Sequence, residues 1–351
     1  MRKFIALLGL MINTPSVMGA PPLFPGALPG YRAWVMADLP GAPEGLTVDA
    51  DGRLYATIPK LGAVVRLDER GGYEQIATVP SADLAPAGRI FGLEADHHGH
   101  LYVTYVWNYS EEDENDTSHA HCRDARDTHT GIYRVDIATG HVTPLISRAS
   151  GWPGCFPDDI AVDSKGNLYV TDLTLSGIWK IDPEGRFTLW SAHPLLQWPP
   201  APYYAVPEGA NDLVIDAAEK NLYVATDGDP AIVRVPIAAD GSAGPAVVVA
   251  RDLSPLDGIE LDERGNIYVS EILRNEISVF SPDGSQRIVI ATAATAPLVN
   301  PTSLIYRRGM LCVANMGWNV TPEPRTITCV TGFRRPTPPD APRTQHSEGK
   351  Y

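Results

Sequence analysis

Positive charge, cysteine and long apolar runs are all scarce in this chain, and each scarcity narrows what it can do. Only 28 lysines and arginines stand against 42 aspartates and glutamates, a net charge of −14. Such a surface cannot neutralise a phosphate backbone, so no nucleic-acid partner is expected. The apolar run from Phe4 to Met11 is too short to span a bilayer. A Gly-x-Ser-x-Gly nucleophile elbow and a phosphate-binding loop are both absent. What the chain has in quantity is turn residues, 31 glycines and 32 prolines in 351 residues, which suits many short strands joined by many turns.

Residues 1–20 read as a secretory signal, with Arg2 and Lys3 ahead of the apolar run and a small-residue exit, Met18-Gly-Ala20, before Pro21. The mature protein is therefore expected to be exported, periplasmic or secreted, with no membrane attachment after cleavage. Export gives meaning to the even count of four cysteines, because an oxidising compartment allows them to pair. Residues 21–29 are a leader, 30–333 the folded domain, and 334–351 a Pro-rich tail expected to be disordered.

The folded part repeats one module, clearest from Pro255 to Glu271. Ile259 and Leu261 alternate with polar neighbours as one strand, Asp262 and Gly265 make a turn, and Ile267 and Val269 begin a strand running back. Five further copies open at Glu44, Phe91, Asp158, Asn211 and, in degenerate form, Thr302; the copy just described opens at Asp257, ahead of its inner strand. Two more strands follow each of the first five hairpins, but only one, Thr326 to Val330, follows the sixth. The segment Gly30 to Leu39 reads as a strand with no partner nearby. Placing it in the sixth sheet resolves both defects and predicts an all-β, six-bladed β-propeller of four-stranded antiparallel blades, its ring closed by the N-terminal strand.

This topology sends the loops Trp107 to Thr130 and His193 to Ala210 to the channel mouth at which the modules open. The second carries Trp198, Tyr203 and Tyr204. It also favours pairing Cys122 with Cys155 near the mouth and Cys312 with Cys329 on adjacent strands of the closing sheet.

Comparing the modules separates structural acids from candidate functional ones. An aspartate after the inner strand recurs at Asp49, Asp96, Asp163, Asp216 and Asp262, as a turn residue should. The opening position instead varies, through Glu44, Phe91, Asp158, Asn211, Asp257 and Thr302, so the repeat does not dictate it. These six should converge at the mouth, and three converging carboxylates repel unless a cation joins them. With all-oxygen donors at Glu44, Asp158, Asn211 and Asp257, and no cysteine or paired histidine among them, Ca²⁺ is the expected ion, another divalent cation the alternative.

At this point the chain resembles the six-bladed senescence marker protein (regucalcin) and gluconolactonase family. Pro43-Glu44-Gly45, Asn211-Asp212-Leu213 and Leu256-Asp257-Gly258 match that family's motifs in blades one, four and five. The resemblance implies a metal held by Glu44, Asn211 and Asp257, with Asp257 doubling as catalytic base in lactone hydrolysis. Blade three departs from the pattern: where regucalcin-like members carry Arg-x-Asn-Asp, this chain has Phe156-Pro157-Asp158-Asp159. The missing arginine argues against a sugar-acid substrate. Phe156, with Phe91, Thr302, Trp198, Tyr203 and Tyr204, suggests a small-molecule lactone or ester of more apolar character.

In the expected reaction a carboxylate, Asp257 or Asp158, accepts the proton of an attacking water at a metal-polarised ester carbonyl. Two alternatives stay open on the same scaffold: a non-catalytic ligand- or protein-binding propeller with structural calcium, and a condensation or cyclisation of the strictosidine-synthase kind.

Overall fold

The computed structural model describes residues 28–79, 88–107, 124, 126–197, 208–317 and 320–336. The signal segment, most of the leader, Cys122, Trp198, Tyr203, Tyr204 and the tail beyond 336 lie outside the described residues.

Six four-stranded antiparallel sheets form a ring. Blade one is β2 (Leu46–Val48), β3 (Leu54–Ile58), β4 (Ala63–Leu67) and β5 (Tyr73–Thr78); blade two is β6 (Gly88–Ala95), β7 (His100–Trp107), β8 (Gly131–Asp136) and β9 (Val142–Ser147). Blade three is β10 (Pro157–Val162), β11 (Leu168–Asp172), β12 (Gly177–Ile181) and β13 (Phe187–Ser191); blade four is β14 (Ala210–Ile215), β15 (Asn221–Thr226), β16 (Ala231–Pro236) and β17 (Val247–Ala250). Blade five is β18 (Leu256–Leu261), β19 (Ile267–Glu271), β20 (Glu276–Phe280) and β21 (Arg287–Thr292). Blade six takes β22 (Pro301–Arg307), β23 (Met310–Asn315) and β24 (Thr326–Thr331) from the end of the chain and β1 (Arg32–Asp38) from its start, in the order β1-β24-β23-β22. The fold is the expected six-bladed propeller with the expected closure.

First strands of successive blades touch all the way round, β2 with β6, β6 with β10, β10 with β14, β14 with β18, β18 with β22 and β22 with β2, so they line the central channel. The apolar side chains do not gather at one centre. They form a cluster in each gap between adjacent blades, for example Tyr268, Ile277 and Val279 of blade five against Leu304, Leu311 and Val313 of blade six. Each sheet is thus apolar on both faces, as a blade packed between two others must be.

The closing blade carries the bridge between Cys312 and Cys329, which sit directly opposite each other on β23 and β24. Cys155 is also disulfide-bonded; its expected partner, Cys122, lies outside the described residues. The start of the tail stays with the domain beyond residue 333: the Arg335 guanidinium lies 5.0 Å over the Tyr306 ring, bonds the Tyr306 hydroxyl, and pairs with Asp262 at 3.6 Å. These contacts hold Arg335, the second residue of the segment read as a disordered tail, to the face opposite the mouth.

Candidate active site at the channel mouth

The side chains that open the modules are aimed by β-bulges. Pairing between first and second strands skips two residues in blades two to six: between Ile90 and Leu93, Pro157 and Ile160, Ala210 and Leu213, Leu256 and Ile259, and Pro301 and Leu304. Phe91, Asp158, Asn211, Asp257 and Thr302 are each the first skipped residue. They therefore lie within their strands, where Asp257 was expected just ahead of one. A bulge frees a residue from the ladder and turns its side chain, a device common beside active sites.

Hydroxyls on the second strands repair the lost pairing. Thr57 accepts from Gly45 N at 2.7 Å and donates to the Phe91 carbonyl at 2.7 Å, Thr104 donates to the Asp158 carbonyl at 2.8 Å, and Ser270 accepts from Gly258 N at 2.7 Å.

The second skipped residue ties the blades together in one of two ways. Where it is glycine, adjacent strands close onto it: a Cβ on Gly92 would stand 2.3 Å from the Asp158 carbonyl oxygen, and one on Gly258 2.5 Å from that of Thr302. Where it is polar, it accepts the next blade's N–H: Ser303 from Leu46 at 3.1 Å, Asp212 from Ile259 at 2.9 Å and Asp159 from Leu213 at 3.5 Å. Burial and the neighbouring Asp159 raise the Asp212 carboxyl well above the usual range. This lower tier is structural.

The upper tier holds the candidate chemistry. Glu44, Asp158 and Asn211 are buried, while Asp257 keeps partial contact with solvent. Burial raises the Glu44 carboxyl well above the usual range, and the charges of Asp158, Asp257 and Asp159 raise it further. Burial and then Asp257 and Asp159 do the same to Asp158. Asp257 is pushed up to about 8 by burial, Glu208 and Asp159. Glu44, Asp158 and Asp257 are therefore brought within mutual repulsion.

Two observations bear on whether a cation suits this site. Glu44 Oε2 is buried without a hydrogen-bond partner, and the donors are all hard oxygens, which fits Ca²⁺. Among the described residues, however, no three His, Cys, Asp or Glu side chains form a ready-made cage. The donor set fits an ion in chemistry and needs the carboxylates to draw together around it.

Phe91 and Phe156 meet beside these acids with ring centroids 4.9 Å apart, in a buried cluster with Val106 and Leu173. Thr302 is buried and donates to the Glu44 carbonyl at 3.2 Å. One acid escaped the sequence reading. Asp227, in the turn after β15, is buried and accepts from Asn211 Nδ2 at 2.9 Å, and its Oδ1 has no partner. Burial, Glu208 and Asp257 push its carboxyl well above the usual range. Module comparison finds such a residue only when extended past the second strand.

Solved structures share this architecture. A gluconolactonase from Xanthomonas campestris superposes with a TM-score of 0.61 at 15% identity, over 90% of this chain and 95% of that one. A luciferin-regenerating enzyme gives 0.61 at 13% identity, over 87% and 97%. Virginiamycin B lyase from Staphylococcus aureus gives 0.54 at 14%, over 86% and 98%. At these identities the likeness is one of fold. A search of curated proteins returns no match. The sequence profile of the SMP-30/Gluconolactonase/LRE-like region matches residues 126–306, more than half of the 351 residues. The chain belongs to the SMP-30/gluconolactonase/LRE-like family.

Proposed function

We propose that this protein is an exported, calcium-dependent hydrolase that opens a lactone or ester of fairly apolar character. The observation that carries the reading is the convergence of Glu44, Asp158 and Asp257 at one mouth of a gluconolactonase-family propeller, with Glu44 Oε2 buried and unpartnered. Ca²⁺ held by Glu44, Asn211, Asp257 and Asp158 would supply Lewis-acid polarisation of the ester carbonyl.

The chain's own groups supply the proton chemistry. A carboxylate pushed toward neutrality is a stronger base than one in water, and Asp257 alone of these acids combines a raised pKa with solvent contact. In its ionised form it takes a proton from the attacking water while the ring oxygen leaves as an alkoxide, and it returns the proton to that alkoxide. Asp158, more deeply buried, is the second candidate for the same role.

The Phe91–Phe156 pair offers an apolar wall beside the acids, in the place where regucalcin-like relatives carry an arginine. An anionic sugar-acid substrate finds no counter-charge from position 156. The signal-like residues 1–20 and the Cys312–Cys329 bridge support an oxidising setting outside the cytoplasm.

The test is a panel of lactones and aryl esters assayed with Ca²⁺ and after chelation, on wild type and Asp257→Ala. Hydrolysis is expected in the presence of calcium, to be lost on chelation and lost in the variant. Undiminished hydrolysis in both cases sinks the reading, and tight calcium binding without hydrolysis of any substrate favours a binding propeller.

A further inference from the structure

Asp227 acquires meaning from what its equivalents do in the other blades. In three blades the last residue of the second strand fixes the loop that leads into the mouth. Asp172 accepts from Cys155 N at 2.8 Å, Glu271 from Ser254 N at 3.1 Å, and Asn315 from Val299 N at 2.9 Å. Each of these N–H groups lies three residues before the mouth residue, Asp158, Asp257 or Thr302. Register assigns the same position in blade four to Thr226, which faces Ala210 as Asp172 faces Pro157 and Glu271 faces Leu256. Thr226 instead closes its own turn, accepting from Ala231 N at 3.1 Å and donating to the Asp229 carbonyl at 2.8 Å.

The residue that follows has a fixed backbone role in all four blades. Its N–H donates to the carbonyl two residues before the mouth residue: Leu173 to Phe156 at 2.9 Å, Asp227 to Gly209 at 3.1 Å, Ile272 to Pro255 at 3.1 Å and Met316 to Asn300 at 3.2 Å. Three of these side chains are apolar, and the fourth is a buried aspartate. The repeat thus explains the backbone of Asp227 and leaves its side chain unexplained. A buried carboxylate where the fold accepts leucine, isoleucine or methionine costs stability unless something offsets it.

Its contact with Asn211 supplies the reason. Asp227 Oδ2 accepts from Asn211 Nδ2 at 2.9 Å, so this contact holds the amide N–H₂ of Asn211 toward Asp227 and turns Asn211 Oδ1 the other way. Without that partner the Asn211 amide could present either end to the mouth, and an N–H₂ facing a cation repels it. We propose that Asp227 is a positioning residue that orients the Asn211 amide, carbonyl oxygen toward the cation, with the rigid backbone of the Thr226–Asp229 turn setting its own position. The inference rests on the calcium reading above and concerns how one donor of that site is oriented. Hydrogen-bonded partners of metal ligands commonly have this effect, and their loss weakens metal binding about 10- to 100-fold.

The experiment measures Ca²⁺ affinity calorimetrically, without reference to turnover, on full-length protein whose folding is checked by thermal melts. Asp227→Leu is expected to weaken binding about 10- to 100-fold. Asp227→Asn, which can still accept from the Asn211 amide, is expected to stay within about threefold of wild type, so it tests the idea even if the leucine variant fails to fold. Asn211→Ala should weaken binding as Asp227→Leu does, and adding Asp227→Leu to it should cost nothing more. Wild-type affinity in Asp227→Leu, a loss in Asp227→Asn as large as in Asp227→Leu, or additive losses in the double variant overturns the inference and leaves the calcium reading standing. Failure of the wild type to bind Ca²⁺ overturns both.

Discussion

The two ends of the inner strands carry the same residue type in opposite circumstances. On the face away from the mouth, each turn aspartate is satisfied by its own backbone: Asp163 Oδ1 accepts from Lys165 N at 3.0 Å and Asn167 N at 2.8 Å, and Asp262 Oδ1 from Arg264 N at 2.9 Å and Asn266 N at 3.0 Å. At Asp49 and Asp96 burial pushes the carboxyl up, yet N–H donors, with those of Arg53 and His100 foremost, outweigh it and leave both below the ordinary range. At the mouth the acids face one another, lack enough donors, and rise. Residue type and burial alone therefore do not mark a functional acid. What distinguishes the mouth acids is burial without the hydrogen bonds that would stabilise their charge.

The largest expected effect breaks the mouth end. Asp257→Asn keeps the shape and removes the base, so kcat for lactone opening should fall by about 10²- to 10⁴-fold, measured by initial rates at saturating Ca²⁺. A variant that retains wild-type kcat assigns the proton transfer elsewhere, with Asp158 the next residue to change.

Stability against pH sharpens the same contrast without an assay. Asp257 at the mouth, and Glu94 and Glu260 three residues further along β6 and β18, are each raised to about 8, in every case with burial as the leading cause. A carboxyl whose folded pKa lies above its unfolded value of about 4 binds its proton more tightly when folded. Its contribution is complete below that unfolded value and is lost as pH rises through about 8. Calcium-free protein should therefore melt lower at about pH 8 than at about pH 5, by on the order of 5 °C, and added Ca²⁺ should recover much of the difference. A melting temperature that is flat or rising over that range shows these channel acids to be unstrained. Asp49 and Asp96, being lowered, contribute in the opposite sense, above the ordinary carboxyl pKa, and lose that contribution only in acid.

Phe156→Ala tests the apolar wall. For esters with alkyl or aryl substituents KM should rise about tenfold with kcat little changed, because packing against the ring serves ground state and transition state alike. An equal change for small polar lactones would mean that the ring supports the fold instead of the ligand. The smallest effect belongs to the opposite face: Asp163→Ala removes hydrogen bonds within one turn and should cost about 1–2 kcal/mol, a few degrees in Tm, with kcat per folded molecule unchanged.

Much of this contrast is legible in the sequence, because comparison within one chain distinguishes the positions a repeat fixes from those it leaves open. The turn aspartates recur and the opening residues vary, so Glu44, Asp158, Asn211 and Asp257 stand out before any coordinates. The reading stops where pairing becomes irregular. An alternating pattern predicts a regular hairpin, and the two-residue skips that aim the mouth side chains leave no periodic trace. Asp159 and Asp212 stand next to opening residues in sequence, yet they accept N–H groups from strands about 50 residues away, Leu213 and Ile259.

Hydrophobic alternation and turn chemistry are local, and by themselves they determined the six modules, the hairpins and the need for Gly30 to Leu39 to complete the last sheet. Only the closed ring decided which acids meet, since a carboxylate's charge state depends on neighbours brought from other blades. Asp227 shows both levels: the blade-four hairpin sets it against Asn211 and Glu208, and the ring adds the charge of Asp257 from the next blade.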